Sequence, residues 1–278
     1  MNNKKHLIAL DLDGTLLTDK KEISARTKET VLTAMAQGHV VVIATGRPHR
    51  ASIDYYNELG MTTPMVNFNG ALIHHPKDRT WDFAMHNPMP IKTAHHIIDA
   101  CYDLEVKNIL AEVMDDVYLD AFDQEIIDIF HETKEDSPYI IGNLKDKLNE
   151  DPTSVLVYPE ENHIRQLRNH LNDYHAEVIE HRKWGAPWNI IEIIKKGLNK
   201  AVGLQKIADY YNIPKDRIIA FGDEDNDLEM IEYAGVGVAM GNAISELKSL
   251  SKHQTLTNEE DGIGIFLEDY LNIKTKTL

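Results

Sequence analysis

Short apolar runs alternate with amphipathic segments along the first third of the chain. Residues 6–11, 39–44 and 64–68 are rich in aliphatic side chains, which is typical of buried parallel strands. Between them, residues 24–38 carry apolar side chains near helical spacing and end in a glycine. Residues 48–59 begin with a proline suited to a first helical turn. This strand–helix–strand order predicts a parallel sheet with right-handed crossovers.

The pattern changes in the middle of the chain. Residues 69–84 are typical of a hairpin that turns at Pro76–Asp78, and a linker with two prolines follows at 86–90. Beyond the linker, helices and strands are mixed without the earlier alternation. The predicted helices cover about 91–104, 122–132 and 160–172, and the predicted strands about 107–113, 116–121, 153–158, 176–180 and 188–194.

The buried-strand pattern returns after residue 198. A helix is predicted over 198–210, a strand over 217–223, a helix over about 225–233 and a strand over 235–240. Both chain ends therefore contribute to one sheet. The predicted fold class is α/β: a Rossmann-like parallel-sheet core of residues 1–84 and 192–278, with an α/β cap domain, residues 85–191, inserted into it.

Composition and charge narrow the range of functions. The chain has 278 residues and a formal net charge of −16, which argues against sequence-independent binding of nucleic acid and against docking on anionic membranes. The lone Cys101 cannot form an intrachain disulfide, and no apolar run approaches the ~18 residues of a membrane span. We expect a soluble cytoplasmic protein. Residues 99–136 hold 13 acidic side chains against two lysines, so we expect them to form a solvated outer face of the cap.

Two acidic clusters stand at predicted strand ends. Asp11–Thr15 (DLDGT) follows the first strand, and Gly222–Asp227 (GDEDND) follows a strand of the second half. Ligands of open parallel sheets bind beyond the carboxyl ends of the strands. Either cluster alone also fits a solvated loop or an acidic helix start. Together they favour a site for a hard divalent cation, and Mg²⁺ fits carboxylate and phosphate oxygens.

Two further features indicate an anion site. Thr45-Gly46-Arg47 offers a hydroxyl and a backbone N–H at a strand-to-helix turn. Lys195–Lys200 contains several lysines, and spacing alone does not choose among them. A carboxylate nucleophile, a divalent cation, a hydroxyl and a lysine together suit phosphoryl transfer.

In this combination the sequence resembles the haloacid dehalogenase superfamily, and within it the Cof-like hydrolases, phosphatases with a large inserted α/β cap. The four superfamily motifs stand in order as DLDGT (11–15), ATGR (44–47), Lys200 and GDEDND (222–227). Further marks of the subfamily are Asn69-Gly70-Ala71, Gly241-Asn242-Ala243 and the segment 258–262. The resemblance spans the whole predicted core.

The resemblance implies a two-step phosphatase. Asp11 would attack phosphorus and form an aspartyl-phosphate. Asp13 would protonate the leaving oxygen and then activate water as a general base. Mg²⁺ would be held by the Asp11 carboxylate, the Asp13 backbone carbonyl and Asp223.

The resemblance also implies how the phosphoryl group is held. The contacts would come from the Leu12 backbone N–H, Thr45, the Gly46 backbone N–H and Lys200. Asn226 would contact the phosphate or a metal-bound water. Asp227 would orient Lys200 or a metal-bound water. From its place beside these residues, Arg47 is expected to border the site and contact the substrate, with pairing to an acidic neighbour as the alternative.

The substrate stays open at this stage. Small phosphorylated metabolites are expected, with sugar phosphates as the leading class and the cofactor phosphates pyridoxal phosphate or flavin mononucleotide as an alternative. A phosphomutase or a non-catalytic phospho-ligand binding module are alternatives of other kinds. We expect a monomer or a homodimer. In the cap, Trp184, Trp188 and the turn 185–187 are candidates for a substrate-facing loop, with core packing as the alternative.

Overall fold

The chain forms two compact units in the computed structural model, which describes residues 4–130, 139–184 and 189–274. The core unit comprises Met1–Arg47, Ser52–Met85 and Asn199–Leu278. The cap unit comprises Pro48–Ala51 and His86–Leu198.

The core unit contains the elements predicted at the two chain ends and several more. Those of the first part are β1 (Leu7–Leu10), α1 (Ala25–Ala36), β2 (Val40–Ile43), α2 (Ile53–Glu58), β3 (Met65–Asn67), β4 (Leu72–His74) and β5 (Met85–His86), where the chain leaves the unit. Those of the last part are α7 (Lys200–Tyr211), β12 (Ile218–Gly222), α8 (Leu228–Tyr233), β13 (Val236–Ala239), α9 (Ser245–Leu250), β14 (His253–Gln254) and α10 (Gly262–Leu271).

Five parallel strands form the main sheet in the order β14-β13-β12-β1-β2, which confirms the predicted parallel-sheet core. The register pairs Leu10 with Ile43 on one side and with Phe221 on the other. Every residue of β1, β2 and β12 is buried, as expected for strands covered on both faces. Because these strands run parallel and in register, the residues that follow them emerge at one edge.

A smaller antiparallel sheet has the order β3-β4-β5. The predicted hairpin over 69–84 is therefore one part of a longer meander. Its turn near Pro76 joins β4 to β5, which begins at Met85, and a second turn at Phe68–Gly70 joins β3 to β4.

The cap unit is an α/β layer. Its elements are α3 (Ile91–Asp103), β6 (Asn108–Val113), β7 (Asp116–Leu119), α4 (Gln124–Phe130), β8 (Ile140–Ile141), α5 (Leu144–Lys147), β9 (Ser154–Tyr158), α6 (Ile164–His175), β10 (Ile179–Lys183) and β11 (Ile191–Lys195). The strand order is β10-β11-β9-β6-β7-β8, antiparallel except for the β7–β8 pair. Alternating residues serve the two faces: Ile109 packs with the helices, and Leu110 lies in a separate cluster.

The boundary between the units lies later than the sequence pattern placed it. The predicted junction at 191/192 falls inside β11, which pairs with β10 from Ile191 to Lys195. A strand cannot be divided between two domains without breaking this ladder, so the cap unit continues to Leu198.

The acidic segment 99–136 differs from the expected solvated face. Glu112 is 3% exposed; Arg50 donates to it, and so does Ser154 Oγ at 2.7 Å. Asp120 accepts a hydrogen bond from the Tyr102 hydroxyl. Part of the acidity is therefore neutralised or hydrogen-bonded inside the cap unit, and residues 131–136 lie outside the described part of the chain.

Some elements were not predicted, or begin elsewhere. α2 begins at Ile53 rather than Pro48, because Pro48–Ala51 forms a turn of the cap unit. The short elements α5, β8, α9 and β14 and the helix α10 had no prediction. Residues 131–132 of the predicted helix 122–132, and residue 188 of the predicted strand 188–194, fall outside the described residues. None of the helices that the structure describes is long and apolar enough to cross a membrane.

The central position of β1 can be tested by truncating one of its side chains. Leu7 is fully buried in the core cluster, and Leu32 on α1 is 40% exposed. Leu7→Ala is expected to lower the free energy of unfolding by about 2–5 kcal/mol, because it leaves a cavity in a packed core. Urea unfolding measures the loss. Leu32→Ala is the matched control, and an equal effect of both variants would contradict the assigned burial.

Candidate active site

Side chains from three neighbouring strands meet at one edge of the main sheet. Asp11 directly follows β1, Thr45 lies two residues after β2, and Asp223 directly follows β12. All three are buried, at 5%, 1% and 7% exposure. The register of the three strands therefore brings these residues together, although they lie far apart in the sequence.

Lys200 lies between two carboxylates. Its Nζ is 2.6 Å from Asp11 Oδ1 and 2.7 Å from Asp227 Oδ1, and its side chain is fully buried. Lys200 is the first residue of α7, whose N-cap Asn199 accepts a hydrogen bond from the Val202 N–H. This cap fixes the helix start and so the direction of the lysine. The structure thus brings Lys200, rather than Lys195 or Lys196, to the strand ends.

Burial and like charge shift the ionisation of this cluster. Burial raises the pKa of Asp11 well above its ordinary value; Lys200 opposes the rise, and the carboxylates of Asp227 and Asp223 add to it. Burial and the Asp227 charge raise the pKa of Asp223 to about 7, against the hydrogen bond from Thr15. Burial disfavours the Lys200 ammonium, but its two carboxylate partners outweigh this and raise the pKa. One ammonium does not compensate three buried carboxylates.

The same carboxylates fit a divalent cation. Asp11, Asp223 and Asp227 offer oxygens that lie within 4.8 Å of one another, and no other such group of ligating side chains occurs among the described residues. Asp227 already accepts from the backbone N–H groups of Asp223 and Glu224, at 3.0 and 3.2 Å, as well as from Lys200. Asp11 and Asp223 are therefore the better cation ligands. A cation between them would relieve the repulsion that raises their pKa values.

Asp13 is held by two basic side chains. Arg47 donates from Nε to Oδ2 and from Nη2 to Oδ1, each at 2.7 Å, and Lys21 Nζ is 2.5 Å from Oδ1. Burial favours the neutral acid, but Arg47 and Lys21 outweigh it and hold the pKa of Asp13 well below its usual range. The Asp13 side chain keeps 43% exposure, so solvent and small molecules reach it.

The expected phosphate ligands gather beside this cluster. The Thr45 hydroxyl accepts from the Arg47 N–H at 3.1 Å, which fixes the turn. A Cβ placed on Gly46 would lie 3.5 Å from Asn226 Nδ2, so Gly46 and Asn226 are neighbours. Leu12 is fully buried between Asp11 and Asp13. The structure thus brings the predicted core residues into one region of the core unit.

Several contributors had no predicted role. Thr15 Oγ1 donates to Asp223 Oδ1 at 2.7 Å, and Asn242 Nδ2 donates to the Gly14 carbonyl at 2.8 Å. Thr15 and Asn242 stand inside quoted motifs, so their positions carried a signal. Lys21 stands in a polar loop beside another lysine, which is typical of a solvent-exposed residue, so nothing in the sequence marked it.

The cap tryptophans are only partly described. Trp184 is half-buried and its Nε1 donates to Glu192 Oε2 at 3.3 Å. Trp188 and the turn 185–187 lie outside the described residues. A substrate-facing role for this loop stays a prediction.

The buried Lys200 is expected to stabilise the folded protein strongly at neutral pH. Lys200→Met leaves two buried carboxylates without a counter-charge, which costs about 3–5 kcal/mol when one partner of a buried pair is removed. The loss should shrink as pH falls, because burial raises the pKa of Asp11 and protonation of this carboxylate removes part of the uncompensated charge. Urea unfolding at neutral and mildly acidic pH measures both effects.

Lys206→Met on the same helix is the matched control, because Lys206 lies outside the carboxylate cluster. A pH-independent loss in Lys200→Met, or an equal loss in Lys206→Met, would show that the charge argument is wrong.

The comparisons with known proteins agree with this geometry. The sequence profile of the haloacid dehalogenase-like hydrolases matches residues 8–267. The 5-amino-6-(5-phospho-D-ribitylamino)uracil phosphatase YitU of Bacillus subtilis (strain 168) is 51% identical over 273 residues, which cover 98% of this chain and 100% of the relative. YwtE of the same organism, a phosphatase named for the same substrate, is 32% identical, covering 95% and 98%.

A solved structure shows the same fold. TM0651 from Thermotoga maritima superposes with a TM-score of 0.83 at 28% identity, covering 98% of this chain and 99% of the other. Full-length similarity in sequence and fold therefore accompanies the assembled motifs. The chain belongs to the haloacid dehalogenase-like hydrolase family and, within it, to the Cof-like phosphatases.

Proposed function

We propose that the protein is a Mg²⁺-dependent phosphatase that hydrolyses 5-amino-6-(5-phospho-D-ribitylamino)uracil through an aspartyl-phosphate at Asp11. The proposed substrate rests on one observation. The chain is 51% identical, over nearly the whole of both chains, to a phosphatase that is named for this substrate. This substrate carries its phosphate on a ribityl chain, so it lies close to the sugar-phosphate class expected from the sequence. Pyridoxal phosphate and flavin mononucleotide are the competing substrates.

The first step is attack by Asp11 on phosphorus. Lys200 holds Oδ1 of Asp11 at 2.6 Å, which leaves Oδ2 for the new bond to phosphorus. As that bond forms, the bond from phosphorus to the ester oxygen breaks. Asp13 supplies a proton to the departing oxygen. Thr45, the Gly46 N–H, the Leu12 N–H and Asn226 hold the phosphoryl oxygens during the transfer.

The second step is hydrolysis of the aspartyl-phosphate. Asp13 takes a proton from water, the water oxygen bonds to phosphorus, and the bond to Asp11 breaks. Arg47 and Lys21 keep Asp13 ionised, which is the form this step needs. The first step needs Asp13 in its protonated form. Before that step, Asp13 therefore has to leave Arg47 and turn toward the ester oxygen.

The acidic cluster would hold Mg²⁺ through the carboxylates of Asp11 and Asp223 and the backbone carbonyl of Asp13. When bound, the cation would supply positive charge that offsets the two carboxylates and the incoming phosphate. Lys200 supplies the remaining positive charge, and Asp227 keeps Lys200 in place. The cytoplasmic location and the monomer or homodimer state stay predictions.

Metal binding is expected to stabilise the protein more at high pH. The pKa of Asp223, about 7, means that a proton competes for this carboxylate below neutrality. The folded protein without metal therefore loses stability as pH rises through this range, and a cation restores it by replacing the proton. The shift in Tm on adding Mg²⁺ to EDTA-treated protein should be larger at about pH 8 than at about pH 6.

Asp223→Asn is the control for this measurement, and its Mg²⁺-induced shift should be small at both pH values. A wild-type shift that is equal at both, or larger in acid, would contradict the assigned ligand. EDTA should also abolish hydrolysis and Mg²⁺ should restore it.

The substrate is tested by a panel of phosphate esters. With Mg²⁺ present, kcat/KM for the ribitylaminouracil phosphate should exceed that for sugar phosphates, pyridoxal phosphate and flavin mononucleotide by at least about tenfold, since a site that hydrogen-bonds a substrate discriminates strongly against those lacking the same groups. Asp11→Asn should reduce hydrolysis of every ester to background while the protein stays folded, because the amide is not a nucleophile.

The outcomes of this panel separate the alternatives. A higher kcat/KM for another ester moves the assignment to that substrate. Transfer of the phosphoryl group to a second sugar hydroxyl, without release of inorganic phosphate, identifies a phosphomutase. Full activity of Asp11→Asn contradicts the assignment of Asp11 as the nucleophile. Binding of esters by the wild type without hydrolysis identifies a binding module.

A further inference from the structure

We propose that Asn69 is a positioning residue of the phosphate site, which acts by fixing the side-chain amide of Asn226. Asn69 stands in the turn Phe68–Gly70 between β3 and β4, outside the four catalytic motifs. The inference rests on the proposed function, in which Asn226 contacts the transferring phosphoryl group. It gives a role to the motif Asn69-Gly70-Ala71, which takes no part in the catalytic steps described above.

The backbone of this turn is unusual. Phe68, Asn69 and Gly70 all have positive φ, at 49°, 50° and 96°. Three consecutive left-handed residues are rare, and the first is a bulky aromatic residue that does not favour this region. Such backbone persists only when its surroundings hold it, and it concentrates at functional sites.

The surroundings that hold it are the strand ends of the site. The Asn69 N–H donates to the Thr45 carbonyl at 3.1 Å, and the Phe68 N–H donates to the Arg47 carbonyl at 3.2 Å. The buried Asn67 side chain also donates to the Arg47 carbonyl, at 2.9 Å. The turn is therefore bonded to the segment that carries the expected phosphate ligands Thr45 and Gly46.

The Asn69 side chain points at the same place. It is 3% exposed, and its Oδ1 accepts a hydrogen bond from Asn226 Nδ2 at 3.0 Å. A Cβ on Gly46 would lie 3.1 Å from Asn69 Nδ2 and 3.2 Å from Oδ1, so the amide packs directly on this glycine. Since Oδ1 accepts from Asn226, it determines which way the Asn226 amide is turned.

The next residue of the turn contacts the third motif. A Cβ on Gly70 would lie 2.3 Å from the Asn199 carbonyl oxygen, so only a glycine allows the turn to pack there. Asn199 caps α7, which begins at Lys200. A turn of three residues thus touches the segments of Thr45–Gly46, Asn226 and Lys200.

Backbone packing and side-chain positioning are separable. The main-chain bonds of Phe68 and Asn69 and the close packing of Gly70 hold the turn without passing through the Asn69–Asn226 hydrogen bond. The hydrogen bond to Asn226 needs only the Asn69 amide. A variant that keeps the left-handed backbone and loses the amide therefore tests the positioning role alone.

Asn69→Gly is that variant, because glycine adopts positive φ without strain. With p-nitrophenyl phosphate and Mg²⁺, it should lose about tenfold in kcat/KM, which corresponds to ~1.4 kcal/mol of transition-state stabilisation. Asn212→Gly is the matched control: Asn212 also has positive φ, 52°, but ends α7 outside the site. It should keep the wild-type kcat/KM.

The decisive measurement is a double-mutant cycle with Asn226→Ala. If Asn69 acts through Asn226, adding Asn69→Gly to the Asn226→Ala variant causes no further loss in kcat/KM. The Tm of the Asn69→Gly single variant should stay near that of the wild type. The Asn226 side-chain NH₂ signal in a ¹⁵N–¹H spectrum should shift in Asn69→Gly and stay in place in Asn212→Gly.

Three results would overturn the inference. They are full kcat/KM in Asn69→Gly, additive losses in the double variant, and an Asn226 signal that does not move. Each can occur in an enzyme that is active as a phosphatase, so the proposed function survives them. A wild-type protein that hydrolyses no phosphate monoester overturns the proposed function, and this inference with it.

Discussion

The ion pairs of a single buried ammonium, Lys200, are the interaction on which the site depends. Its Nζ lies 2.6 Å from Asp11 and 2.7 Å from Asp227, with no exposure to solvent. Carboxylates in such surroundings are costly unless they are paired, because water no longer screens their charge. One lysine compensates part of the charge of three carboxylates. The remaining negative charge would favour a divalent cation, and the positive charge of that cation would let a site built largely from acids accept a phosphate.

The position of this lysine follows from the sheet together with the helix cap at Asn199. Asp11 and Asp223 lie at one edge because β1 and β12 are parallel neighbours in register. α7 begins at Lys200 because Asn199 caps it, and that brings the ammonium between Asp11 and Asp227. Close approach at Gly14, where a Cβ would lie 2.1 Å from Asp223 Oδ2, lets the two acidic segments meet. The sheet, the helix cap and the glycine together set the distances that the chemistry requires.

Some of the acidic side chains of this protein are paired with basic or polar side chains in each of the two units. Part of the negative charge of segment 99–136 is paired inside the cap unit, where Glu112 accepts from Arg50 and Ser154. In the core unit, Asp13 is held by Arg47 and Lys21. A net charge of −16 is therefore compatible with an anionic substrate, since basic side chains stand where individual carboxylates need them.

The amino-acid sequence is enough to predict the parallel core, the strand ends that carry chemistry and the family, because buried strands, glycine turns and four ordered motifs are local features. It also indicated most of the residues that meet in the site. It did not choose Lys200 from spacing, mark Lys21, or separate the buried Glu112 from its solvated neighbours. Nor did it show that residues 192–198 continue the cap unit, or that Asn69 and Asn226 touch. These depend on contacts between residues far apart in the chain, and only the packing of the tertiary structure decides which side chain meets which partner.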